Sequence, residues 1–169
     1  TNQQHLLVTL QWACVTKERM TNAPDFATDT TSYRSARQRD KVFGANYNAF
    51  ATRFTGFSMC HPAYDDQLMF ESVQHTLRSA IHAEKTTANF MFVPNWTNKS
   101  LNPYRRLLDQ NPELCTHLGT IPQAKVLYEE PTAWNGSQAL SKPTWSLAII
   151  AVWDKTAREH LQASSLCWL

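Results

Sequence analysis

Hydrophobic and polar positions change period sharply near the middle of the chain. Phe57 and Met59 alternate with small or polar neighbours, which predicts a short strand. Pro62 lacks an N–H and cannot continue a central ladder, so that strand ends near His61. Beyond it, Leu68, Met69, Val73, Leu77, Ala80 and Ile81 recur at steps of three and four, the signature of an amphipathic helix, with Asp65 as its N-cap and an end near Glu84 and Lys85. Strand, tight turn and helix make one α/β unit.

The same reading places the other elements. Leu6, Leu7, Leu10 and Cys14, with Val8, Trp12 and Val15, predict an N-terminal helix, followed by a polar connection over 17–24. Phe26, Ala27 and Thr28 read as a short strand, and Arg34, Arg37, Arg39 and Lys41 as a solvated helix face. Phe90 to Val93 are apolar in succession, as in a central strand covered on both sides, and Pro94 ends it. Asn102 and Pro103 open a helix that buries Tyr104, Leu107 and Leu108. Short strands are expected over 115–119 and 124–128, then a loop over 129–142. The strongest strand runs over 146–153, and Asp154 caps a last helix that passes through His160 and Leu161.

At 169 residues, 43% hydrophobic and 18% charged, the chain can bury one sizeable core and is read as a single domain: an N-terminal helix and connection over 1–24, then an α/β core over 25–169. In open α/β sheets ligands bind beyond the carboxyl ends of the strands, which makes the turn from His61 to Tyr64 the candidate site. A net charge of +2 is low for a generic nucleic-acid binder, and no run of about 18 apolar residues is present to span a membrane.

Cys14, Cys60, Cys115 and Cys167 are far apart with no C-x-x-C pair, the pattern of reduced thiols in an intracellular protein. Three glycosylation acceptor triplets, at Asn95, Asn98 and Asn135, point the other way, but no signal peptide accompanies them. The first residue is Thr, which fits a processed or truncated chain, and an organelle reached through a removed targeting segment is a candidate compartment. Cys60 and His61 with Cys115 and His117 lack zinc-ligand spacing, so no metal is expected, and no nucleophile-elbow pattern occurs.

Phe43-Gly44, then His61-Pro62-Ala63-Tyr64 followed by Asp66-Gln67-Leu68-Met69, then Phe92-Val93-Pro94-Asn95-Trp96, resemble the cap-adenosine methyltransferases related to the phosphorylated CTD-interacting factor. The resemblance runs from about Phe26 to about His160 and keeps the order of elements. It implies an α/β class I, Rossmann-like methyltransferase fold, truncated or minimal, with a mostly parallel sheet and an antiparallel last strand. It also implies S-adenosylmethionine as cofactor, with Phe26, Thr28 and Asp29 where the family has its first strand and cofactor loop, and His61, Pro62 and Tyr64 where it grips the target adenine.

In that family an asparagine and a proline carbonyl accept hydrogen bonds from the target amine while an aromatic ring stacks on the base. Here His61 stands at the asparagine position and Ala63 at the second proline. A neutral imidazole has one acceptor nitrogen, and a protonated one has none and repels a sulfonium. The chain has four glycines, none in the segment of Phe26, Thr28 and Asp29. Asp29 either contacts a ribose hydroxyl or caps a turn, and the turn is the simpler role. The expected function is therefore a methyltransferase-like domain that has lost catalysis and serves as a structural or interaction subunit of a larger assembly. The alternative is an active RNA adenine methyltransferase. Protein partners are expected at the surface of residues 6–15 and at Trp134 and Trp145, with RNA as a further candidate partner.

Overall fold

The computed structural model describes residues 17–18, 32–35, 46–62, 64–95, 103–125, 128–130, 139–141 and 144–166. In chain order these give β1 (Lys17–Glu18), β2 (Ser32–Ser35), β3 (Asn46–Tyr47), a 3-10 turn (Ala49–Ala51), β4 (Phe57–Cys60), α1 (Asp66–Ile81), β5 (Ala88–Pro94) and α2 (Pro103–Asp109). They continue with β6 (Cys115–Ile121), a second 3-10 turn (Gln123–Lys125), β7 (Tyr128–Glu130), β8 (Ala139–Ser141), β9 (Leu147–Trp153) and α3 (Lys155–Leu166). One sheet has the order β3-β2-β1-β4-β5-β9-β6, and β7 with β8 forms a separate antiparallel pair.

The sheet is mixed, and the lengths of its ladders follow from side-chain chemistry. All seven residues of β9 are buried apolar groups. β9 pairs antiparallel along its whole length with β5, from Ala88 opposite Trp153 to Pro94 opposite Leu147. It also pairs antiparallel with β6, from Cys115 opposite Val152 to Ile121 opposite Leu147. The parallel pairings are shorter: β4 matches β5 over Phe57 to Cys60, and β1 meets β4 only where Glu18 lies beside Met59. β1 to β3 are strands of two to four residues. The expected mostly parallel, Rossmann-like sheet of the class I methyltransferases is corrected on this point. Most of the hydrogen-bonded ladder is antiparallel, because the reversed strand is the most hydrophobic and lies between two long neighbours.

The alternation of faces sets the layers. Cys60, Met91, Val93, Ala148, Ile150 and Val152 point to one side, where they pack with Met69, Val73, Leu77 and Ala80 of α1 and Tyr104 and Leu108 of α2. Ala88, Phe90, Ala151 and Trp153 point to the other side, against Ala157 of α3. α1 begins where expected, with the Asp65 carboxylate accepting from Leu68 N at 2.9 Å. Ile81 differs from its expected burial and is 55% exposed. It is the last residue of the helix, where Arg53 donates to the His82 carbonyl at 3.0 Å and the chain turns away from the sheet.

Other expectations also shift. β1 lies in the segment read as a polar connection, β2 includes Arg34 from the segment read as a helix face, and β8 and all of β7 but Tyr128 lie in the segment read as loop. β6 extends to Ile121, and Gln123–Lys125 is a 3-10 turn where a strand was expected. The turn into β4 depends on Gly56, at φ 74, whose carbonyl accepts from Ala88 N at 3.0 Å. The expected helix over 6–15, the strand at Phe26, Ala27 and Thr28, and Trp134 lie outside the described residues.

Candidate functional site

At the carboxyl end of β4 the backbone leaves the sheet at His61, which is exposed, while Pro62 is buried and Tyr64 half-buried. The register predicts the neighbour. Cys60 lies beside Met91, so one step further His61 falls beside Phe92, and their ring centroids are 6.2 Å apart. His61 and Tyr64 are 5.5 Å apart by centroid, with Nε2 and the phenolic oxygen at 2.6 Å. Tyr64 then meets Trp145 edge to face, at 5.8 Å and 86°. Since Leu147 pairs with Pro94, Trp145 is carried to the same end of the sheet as Phe92. The result is a row of four aromatic rings, Phe92, His61, Tyr64 and Trp145, across the ends of three strands.

Sequence reasoning named His61, Pro62, Tyr64 and Trp145 but did not join them with Phe92. The signal was available: placing the two central strands side by side from their end signals brings the residue after Cys60 next to Phe92. Ala63, and the residues expected to hold the cofactor, Phe26, Thr28 and Asp29, lie outside the described residues. Cys60 and His61 do not meet Cys115 and His117. β4 and β6 are separated by β5 and β9, a distance of about 14 Å at the usual strand spacing. Among the described residues no cluster of three or more His, Cys, Asp or Glu is placed to hold a metal ion, and no helix is long and apolar enough to cross a membrane.

Several polar groups at this end of the sheet are engaged with the protein, and the Trp145 indole nitrogen is buried. Whichever of the two donates, the His61–Tyr64 hydrogen bond uses the Nε2 position of the imidazole. The Asp65 carboxylate caps α1. The buried Tyr104 hydroxyl donates to the Pro94 carbonyl at 3.0 Å, fixing α2 to the end of β5. What the row presents to a ligand is therefore ring surface, suited to packing and stacking.

Burial pushes the Tyr104 phenol up to about 12; Arg105 opposes this and Asp66 adds to it. Burial likewise pushes the Cys115 thiol up to about 12, with Glu113 and Asp109 adding and Arg158 opposing. Both groups are neutral when protonated, and both titrate higher in the folded state than in the unfolded one. Their contribution is fully present below the unfolded values of 9.0 for Cys115 and 10.0 for Tyr104, and is lost as pH rises through about 12. Urea midpoints are expected to be level to about pH 9 and to fall above it. Tyr104→Phe should lower the midpoint at pH 8 and flatten the fall, and an unchanged slope in that variant would remove Tyr104 from the account.

No protein-family model matches the chain, and no curated protein matches it either, so the methyl-donor and base-binding roles expected for Phe26, Thr28, Asp29, His61, Pro62 and Tyr64 find no support there.

Proposed function

We propose that this chain is a non-catalytic interaction subunit, an α/β domain that holds its place in a larger assembly through packing surfaces. The observation that carries this reading is the His61–Tyr64 hydrogen bond. The two side chains at the strand-end turn with proton chemistry to offer are joined to each other, and beside them stand the rings of Phe92 and Trp145, the latter with its indole nitrogen buried. Tyrosine and tryptophan at the centre of an interface typically contribute about 2 kcal/mol or more each. A few such anchors are enough to seat a subunit.

The test is the mass of the native particle. In extract of the source cells the chain is expected to elute well above its own 19.3 kDa. Tyr64→Ala combined with Trp145→Ala should release it as a folded monomer, with its circular dichroism retained. Elution of the wild type at its own mass would sink the subunit reading. Transfer of methyl groups from labelled S-adenosylmethionine to adenosine in RNA by the purified chain would sink the non-catalytic part of it.

A further inference from the structure

We infer that the outer edge of β6 is a docking strip for an extended peptide segment of a partner, which adds as a strand and lays a large apolar or aromatic side chain over Gly119. β6 is the last strand of the sheet, and among the described residues only β9 pairs with it. Its neighbour has every side chain buried, whereas none of the seven in β6 is buried. Natural edges are blunted with charges, prolines or bulges. β6 reads Cys-Thr-His-Leu-Gly-Thr-Ile, with no lysine, arginine, carboxylate or proline, and its one such device is the irregularity between His117 and Gly119.

Two features say what would lie there. Leu118, at that irregularity, is 36% exposed. Among the described residues a methyl group built on Gly119 meets nothing within 4 Å, which leaves a notch in the edge beside an exposed leucine. A docked strand can fill such a notch with a bulky side chain, as aromatic residues do over edge glycines in sheets. The strip is uncharged and His117 is held to Thr120 at 3.1 Å, so the complementary segment is itself uncharged and β-prone.

Size separates a peptide from a second copy. A seven-residue edge about 24 Å long and one sheet thick, about 10 Å, offers roughly 500 Å2 counted over both partners, about half of the roughly 1,000 Å2 that two folded chains need for a stable interface. A flexible segment held by main-chain hydrogen bonds and one side-chain pocket binds on a strip of that size. This inference rests on the interaction-subunit reading, whose partner chemistry it names.

The experiment uses the full chain and a fluorescein-labelled hexapeptide, Thr-Val-Thr-Phe-Val-Thr, with an alanine version in place of its phenylalanine. Saturable anisotropy is expected for the phenylalanine probe, at least about tenfold tighter than for the alanine probe. N-methylation of alternate residues along one edge of the probe should abolish binding, and along the other edge should not. Leu118→Lys should abolish it too, and Gly119→Val should erase the advantage of phenylalanine; Leu118 is exposed, a Cβ at Gly119 meets nothing within 4 Å among the described residues, and unchanged circular dichroism checks that each variant folds. No saturation by about 1 mM probe, indifference to N-methylation on both edges, or a dimer of the chain that Leu118→Lys dissolves would each overturn the inference. Failure here leaves the native mass measurement standing. A monomer in cell extract that still binds the probe would remove the assembly and keep the strip.

Discussion

Phe90→Ala is expected to cost about 3–5 kcal/mol of folding stability, roughly a fifth or more of what a domain typically has. Phe90 is 0% exposed in β5 and packs among Ala88, Ala151, Trp153 and Ala157. Three of these four neighbours are alanines, whose Cβ atoms are fixed by strand or helix backbone, and the half-buried Phe57 and Phe92 pack against the same cluster. The alanines cannot swing into the space the ring leaves, so closing it falls to Phe57, Phe92 and Trp153 and a cavity term adds to the lost transfer energy. Phe90→Leu, which keeps most of the volume, should cost about 1–2 kcal/mol. Urea unfolding measures both. A cost below about 1.5 kcal/mol for the alanine variant would show that this face of the sheet collapses around the gap, and that the core is less rigidly layered than its alternation of faces implies.

The elements read correctly from sequence are those whose own residues decide them. α1 has a cap at Asp65 and a repeating apolar face, and β5 and β9 are apolar runs ended by Pro94 and by Asp154. Each is specified within its own window. β1 and β2 are not, because Lys17-Glu18 and Ser-Tyr-Arg-Ser carry neither alternation nor hydrophobic bias, and their pairing comes from neighbouring backbone. β7 and β8 were hidden for a related reason. Pro131, Gly136 and Pro143 surround them, and such residues punctuate a hairpin and a loop alike.

The direction of pairing was legible only in part. An antiparallel last strand was foreseen, but not that β6 would extend to Ile121 and ladder against it over its whole length. Strand length sets how much of a sheet is antiparallel, and the end of β6 is not marked by a charge or a glycine. Ile121 precedes Pro122, and the chain passes from strand to 3-10 turn there. The site shows the same limit. His61 and Tyr64 are close in sequence and their proximity could be read, whereas Phe92 and Trp145 are brought to them by strand register. The motif likeness to cap-adenosine methyltransferases rests on local strings of that kind. Local strings constrain a turn; they do not by themselves carry a reaction.

Asp154→Ala is expected to cost about 2–4 kcal/mol, more than loss of a helix cap alone. One carboxylate oxygen accepts from Ala157 N at 2.8 Å and caps α3. The other accepts from Thr87 N, and the Asp154 backbone N–H donates to the Thr87 carbonyl at 3.0 Å. This pair extends the β5–β9 ladder one step beyond Ala88 and Trp153, so a single side chain joins the start of one central strand, the end of the other and the helix that follows. Thr87 is 0% exposed, and without the carboxylate its N–H has no water to turn to. The two roles can be separated. Asp154→Ser can still cap α3 but is too short to serve Thr87 as well, and Asp154→Asn keeps one acceptor oxygen but presents an amide to whichever N–H the other end faces. Both should fall between wild type and alanine in urea unfolding, about 1–2 kcal/mol down. In both, the Thr87 amide should exchange with solvent deuterium faster than in the wild type when the cap is the contact retained. If serine matches the wild type in stability and in Thr87 exchange, the second oxygen contributes nothing and Asp154 is only a helix cap.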